Sequence, residues 1–439
     1  MRRVLFVSPH FPPDSSAGTH RVRLLAPHMA GHGWEPTVLT VDPSDYEGAL
    51  DPALARSVPD TVRVVRARAW PASITRRLGV GDLGLRAYRG LKRAATTLLE
   101  REPFDAVFIT IYPTYPALLG PYLKRRFGVA FVLDYQDPWV GEWGRSVGPA
   151  DGGGLDLKSR MSRWIATHVE PIALTAADAV TAVSHATYEQ ALARTPDAKP
   201  RATAELPIGW DRRDLEFLST PPNLSNPSNL SNLSTSSNLL HVSYVGTLLP
   251  TGVETLRALF AALAAERRCN ADVARLRLHF FGTSNLRSAD ARRRVLPIAE
   301  EFGLGDAVTE QAPRLDYFDA LGVLRASHAL LLLGSRERHY TPSKVFPALV
   351  AERPLFALMH EASNATELLR RVGAPPTVRL VTYGDDGVQM RVGEIGAALA
   401  ALAAAPRYAP EAVNRTVLEP VSACALAGKL ANVLECCVA

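Results

Sequence analysis

Two doubly wound α/β domains, each a parallel sheet with helices on both faces, are the architecture this sequence predicts. Three observations predict it. The 439 residues are too many for one ordinary core and suit two domains of about 200 residues each. Short apolar runs alternate with segments of helical period along both halves, as buried parallel strands and their crossover helices require. Each half also opens on a strand that runs through a glycine-bearing loop into a helix, first over Arg3 to Ala30 and again from Leu240.

In the first half, Val4 to Val7 is the opening strand. Pro9, Pro12, Pro13 and Gly18 then exclude helix and ladder and force a turn. Val22, Leu25, Ala26 and Met29 recur at helical spacing, with Arg21 and Arg23 off that face. A helix starting near Gly18 presents free N–H groups and partial positive charge above the carboxyl edge of the sheet. Gly18 would let a phosphate approach, and Ser15 and Ser16 could donate to it; a surface turn shaped by proline and glycine is the alternative.

Further strands are predicted at Trp34 to Val41, Val62 to Val65, Phe104 to Ile111, Ala130 to Asp134 and Ala177 to Val183. Asp137, in the polar cluster past the fifth of these six strands, is either a site residue or an aspartate capping the next turn. His185 is read as structural. The segment from Asp82 to Arg101 is an amphipathic helix with Arg86, Arg89 and Arg93 on one face and Arg76 and Arg77 just upstream. Such a face suits an anionic membrane surface, though a solvated face packed on its own domain is the preferred reading.

Leu206 to Asp211 breaks the alternation and suits a hinge, with Gly209 at its centre. Pro221 to Ser237 repeats an N-L-S unit that cannot bury enough apolar surface to offset chain entropy, so an insert is expected there. The second half starts at Leu240 to Val245, followed by the loop Gly246 to Gly252 and a helix with Leu256, Leu259, Phe260 and Leu263 on one face. Leu276 to Gly282, Ala307 to Glu310, Ala329 to Leu333 and Pro354 to Leu358 continue the strands. Ser343 is a candidate helix N-cap, and Lys344 follows it in the first turn, where the helix dipole disfavours a cation. A bound anion would rationalise that lysine; as a solvated side chain it needs no partner. A last helix over about Ser422 to Cys436 should pack back on the body.

Composition narrows the function. With 47% apolar and 21% charged residues the chain is an ordinary globular one, and a formal charge of +5 without a basic, aromatic-rich stripe does not imply nucleic acid. The four cysteines have neither zinc nor disulfide spacing, which suggests a reducing compartment. No signal peptide or spanning segment is apparent, so a cytoplasmic protein is expected. No G-x-G-x-x-G follows a strand and no D-x-D occurs, so neither a dinucleotide cofactor nor a metal is called for.

In order along the chain, these pieces resemble the family 4 glycosyltransferases of the GT-B fold. The resemblance rests on P-P-x4-G at Pro12 to Gly18, Asp137 to Trp139, A-D-A-V-T-A-V-S at Ala177 to Ser184, P-I-G-W-D at Pro207 to Asp211, Y-V-G-T-L at Tyr244 to Leu248 and T-P-S-K at Thr341 to Lys344. It implies two Rossmann-like domains facing a central cleft: an acceptor-side domain over 1–207, hinge and insert over 208–239, a nucleotide-sugar domain over 240–405 and a helical segment over 406–439. It implies donor contacts at Gly18, Arg21, Gly246, Thr247 and Ser343, and roles in the reaction for Asp137 and Lys344. The family pattern G-R-L-x-x-x-K-G is broken, with Thr247 in place of the arginine and no lysine before Gly252. The second glutamate of its E-x7-E falls at Pro347 and the first near His339.

The expected activity is therefore transfer of a sugar from a nucleotide-sugar donor to a polysaccharide or lipid-linked acceptor, retaining and metal-independent, at the cytoplasmic side of a membrane. A catalytically degenerate scaffold of the same fold is the alternative, and an epimerase acting on the nucleotide-sugar a third.

Overall fold

The computed structural model of the protein describes residues 1–48, 50–140, 157–219, 238–284, 286, 290–335 and 344–438. The insert at 220–237 and the residues Thr341 to Ser343 lie outside them. By contact the chain divides into a first unit of Met1–Asp211 and Val421–Ala439 and a second of Arg212–Pro420.

The first unit is built on β1 (Arg2–Val7), whose apolar run leaves Val4, Leu5, Phe6 and Val7 wholly buried. Alternation sends Leu5 and Val7 to one face, against Leu91 and Leu98 of the helix Leu83–Arg101. Val4 and Phe6 point to the other face, into a cluster with Phe108 and with Leu426, Leu430 and Leu434 of the final helix, Ala423–Val438. Each such buried leucine contributes about 1.5–3 kcal/mol, which is what ties the end of the chain to the first sheet.

That sheet is parallel, with β2 (Trp34–Val41), β3 (Arg63–Ala67), β4 (Ala106–Ile111), β5 (Ala130–Tyr135), β6 (Ala179–Ala182) and β7 (Ala202–Glu205) in the order β3-β2-β1-β4-β5-β6-β7. Phe6 pairs with Val38 on one side and Phe108 on the other. The third strand lies slightly later than the run Val62 to Val65, and β7 adds an edge strand.

The second unit repeats the plan with β8 (Leu240–Val245), β9 (Leu276–Phe281), β10 (Val308–Gln311), β11 (Ala329–Leu333), β12 (Leu355–His360) and β13 (Val378–Tyr383), in the order β10-β9-β8-β11-β12-β13. Leu256, Leu259, Phe260 and Leu263 of the helix Val253–Glu266 are all buried in its core. In each sheet the order reverses about the first strand, between β1 and β4 and between β8 and β11. The crevice outside the carboxyl ends at such a switch is where doubly wound sheets bind ligands.

Only glycine fits at 209, because a Cβ there would lie 1.9 Å from the carbonyl oxygen of Val421. Its neighbour Trp210 exchanges hydrogen bonds with Val421 and Ala423, fastening the returning chain to the first unit. Arg86 is not part of an exposed basic face. It is buried, donating to Glu47 at 2.7 Å and to the carbonyls of Trp70 and Asp45 at 2.9 and 3.0 Å. No described helix is long and apolar enough to cross a membrane.

Candidate functional site

The switch point of the second sheet is occupied by the loop that leaves β8. Gly246 has φ +127, a conformation that L side chains rarely adopt, and its N–H donates to Phe281 at 2.8 Å. The missing side chain matters: a Cβ on Gly246 would lie 2.6 Å from Cε of Lys344, so the lysine stem fills the space the glycine leaves. From there the ammonium donates to the carbonyl oxygen of Thr247 at 2.8 Å and to the Tyr244 hydroxyl, and lies 4.3 Å from the centre of the Tyr244 ring. Tyr244 itself donates to the same Thr247 carbonyl at 3.0 Å.

Thus Lys344 is no solvated lysine. Burial pushes its ammonium down to about 7, and among the described residues no carboxylate faces it. An ammonium held by a carbonyl and a phenol, with no carboxylate partner among the described residues, can pair with an anion. Three further groups line the same loop. Arg294 donates to the Leu248 carbonyl at 3.4 Å. The Thr251 hydroxyl is buried with no partner among the described residues. The helix Val253–Glu266 begins at Gly252 without a side-chain cap, and the N–H of Val253 donates to the Pro250 carbonyl. Gly246, Thr247 and Lys344 are therefore brought together, and Ser343 lies outside the described residues. Arg294 was missed, since nothing near it in sequence ties it to this loop.

The switch point of the first sheet is organised by a residue the sequence reading passed over. Asp14 accepts from His10 Nδ1 at 2.7 Å, from Thr19 Oγ1 at 2.9 Å, and from the Ser16 hydroxyl and amide at 2.5 and 3.3 Å. Burial works to raise its pKa but is outweighed by the hydrogen bond and charge of His10 and by the hydroxyls, which hold it at about 2. The His10 ring lies between Tyr46, stacked at 6.1 Å, and Tyr112, tilted at 5.4 Å.

Other expected site residues are placed differently. Gly18 allows a close approach of Tyr112, whose ring carbon would lie 2.4 Å from a Cβ there. Arg21 is only 1% exposed, paired with Asp134 at 2.8 Å and donating to the Pro207 carbonyl at 3.2 Å. This packing removes it from the donor contacts. Asp137 stands exposed just past β5; the acid buried at that strand end is Asp134. No three or more His, Cys, Asp or Glu side chains are grouped to hold a metal ion among the described residues.

Comparison with known proteins adds a domain match and a fold. Residues 17–205 match the glycosyl transferase 4-like domain. No curated protein matches the sequence. Among solved structures the chain is similar to Anabaena HepE in complex with UDP-glucose, with TM-score 0.54 and 14% identity over 99% of this chain and 97% of that one. It is similar to a glycosyltransferase from Rickettsia africae, with TM-score 0.57 and 12% identity over 99% and 98%. It is also similar to the lipopolysaccharide outer core galactosyltransferase WaaB, with TM-score 0.54 and 13% identity over 99% of both chains. At such identities the likeness is one of fold, GT-B with two Rossmann-type domains.

Proposed function

We propose that this chain, a glycosyltransferase of the GT-B fold whose residues 17–205 are a glycosyl transferase 4-like domain, takes its sugar from a nucleoside-diphosphate donor held by the loop Gly246 to Gly252. The observation that carries the reading is Lys344, a buried ammonium resting on that loop with no counter-anion among the described residues. In such a reaction the C1–O bond to the diphosphate breaks and negative charge grows on the leaving oxygens. Fixed cations and N–H dipoles stabilise that charge without reorganising. Lys344, Arg294, the Thr251 hydroxyl and the N-terminal dipole of the helix Val253–Glu266 supply them from the chain itself. They would take the part of the two cations that the G-R-L-x-x-x-K-G pattern has and this loop lacks.

The acceptor is a polysaccharide or a lipid-linked saccharide and the course is retaining, as the resemblance implies, with Asp137 orienting sugar or acceptor. Calorimetric titration with UDP, GDP, dTDP and CDP tests the reading. Heat from at least one, lost in Lys344→Met, supports it. Silence from all four favours instead a scaffold that has lost its donor, the reading to which Pro347 in the place of the ribose-binding glutamate points.

A further inference from the structure

Glu310 is a buried acid of β10 whose partners among the described residues are all neutral donors. Its Oε1 accepts from the Thr283 hydroxyl and from the Arg294 N–H at 2.9 Å, and its Oε2 accepts from the N–H groups of Val295 and Leu296, each at 2.9 Å. Those donors fill the lone-pair sites of a carboxylate. Capping the short helix Leu296–Glu301 would need only the N–H groups at its start. Thr283, just past β9, and Arg294, before that helix, are further partners, and both lead to one residue. The Leu248 N–H donates to the Thr283 carbonyl at 3.0 Å, and the Arg294 guanidinium donates to the Leu248 carbonyl at 3.4 Å. Leu248, in the loop Gly246 to Gly252, is thus held at its N–H and at its carbonyl by two residues that meet on the same carboxylate, and the whole circuit lies within the second unit.

We propose that Glu310 is a positioning residue for the donor diphosphate, fixing the Arg294 backbone so that the guanidinium stays on the loop that holds the phosphates. The proposal rests on the donor reading above and names what secures one of its cations. Arg294 is an exposed residue with a long side chain, which left to itself would sample many rotamers in water. With its own N–H and those of the next two residues bound to Glu310, that side chain starts from a fixed point. A carboxylate suits the task because both its oxygens accept; an amide would turn an N–H against one pair of donors, whichever way it faced. Glu310 binds Arg294 through the backbone, so the guanidinium it positions keeps its charge for a phosphate.

The test is a double-mutant cycle read in nucleotide affinity. Wild-type protein, Glu310→Gln, Arg294→Met and the double variant are titrated calorimetrically with UDP, GDP, dTDP and CDP, while thermal melts without nucleotide follow stability separately. Arg294→Met should weaken binding at least about tenfold and Glu310→Gln at least about fivefold, with the double variant within about twofold of Arg294→Met alone. A role confined to capping would lower the melting temperature and leave the affinity of the folded protein unchanged. Binding by Glu310→Gln within about twofold of wild type therefore overturns the proposal, and so do losses that multiply in the double variant, since Glu310 would then act elsewhere than through Arg294. If Glu310→Gln does not fold, Thr283→Val, which removes one of the bonds, takes its place: a loss of about threefold is expected alone and none on top of Arg294→Met, and binding equal to wild type overturns the proposal. Nucleotide binding that Arg294→Met leaves unchanged overturns it while the donor reading stands on Lys344. No heat from wild-type protein with any of the four nucleotides overturns the donor reading itself.

Discussion

Lys344 makes a prediction about protons as well as affinity. Its ammonium, pushed down to about 7 by burial, is largely neutral in the free protein at pH 8 and largely charged at pH 6. A diphosphate arriving beside it favours the charged form and restores a pKa well above 8, so binding must draw a proton from buffer. With a free value of about 7 the uptake is about 0.9 proton per nucleotide at pH 8 and about 0.1 at pH 6. Titrating UDP or whichever diphosphate binds, at pH 8 in phosphate and in Tris, should give apparent enthalpies that differ by that proton number times the difference in buffer ionisation enthalpy. Lys344→Met should abolish the buffer dependence. It should also weaken binding by the loss of a charge-assisted contact, about 1.5–3 kcal/mol, or roughly 10- to 150-fold. Tight binding at pH 8 with equal enthalpies in both buffers would refute the reasoning, because Lys344 would then be either already charged or remote from the ligand.

Three other expectations follow from packing. Arg21→Met should destabilise the protein by about 3–5 kcal/mol in chemical denaturation, since it strands Asp134 in the core, while nucleotide affinity stays within twofold; a selective loss of affinity would return Arg21 to the donor. Gly246→Ala, strained at φ +127 and crowding Lys344 Cε, should weaken nucleotide binding at least tenfold by calorimetry. His279 is held down to about 4 by burial and then by the charges of His241 and Arg277, against 6.5 when unperturbed. The unfolded chain therefore binds the extra proton between these values, so stability is full above about pH 6.5 and falls as pH drops toward 4, by up to about 3 kcal/mol. A denaturation midpoint that does not move between pH 7 and 4.5, or that moves equally in His279→Gln, would contradict this.

Much of the fold was legible because the strands are apolar runs with sharp ends. Trp34–Val41 and Leu240–Val245 are found at the limits the sequence predicts. The edge strand Ala202–Glu205 was not, since only one of its four residues is buried and no period can emerge from so few. Val378–Tyr383 was hidden by Arg379, which is buried with its guanidinium on the carbonyls of Ala401 and Ala405. The same blindness affects the sites. A pattern of apolar spacing assigns every arginine to the surface, so Arg21 was set off the buried face when Asp134, more than a hundred residues later, holds it in the core. His10 and Asp14 are four apart in a proline-rich loop, where spacing implies no contact until the loop closes. Lys344 was singled out for its poor fit to a helix start, but Tyr244 and Thr247, about a hundred residues upstream, decide that it is enclosed.

The departures from the family pattern can now be weighed as charge. The pattern supplies an arginine and a lysine from the loop itself; here Thr247 and Thr251 stand in a shorter loop that supplies neither. If the cations had simply been lost, the loop would hold only amides and hydroxyls and a diphosphate would forgo two charge-assisted contacts. Instead a lysine from the start of the next helical segment, Val345–Val350, reaches Thr247, and an arginine from just before Leu296–Glu301 reaches Leu248. The positive charge comes from different places in the sequence to the same turn. Holding Lys344 there lowers stability in the free protein, because its charged form is desolvated and unpaired; replacing it by an apolar side chain of similar volume should therefore raise the melting temperature of the free chain at pH 6, where the lysine is mostly charged, and raise it less at pH 8. A donor diphosphate reverses that sign by supplying the missing anion. The pair of measurements, Lys344→Met more stable than wild type alone but less stable with saturating nucleotide, separates a working donor site from an inert remnant: a remnant would show the first effect without the second.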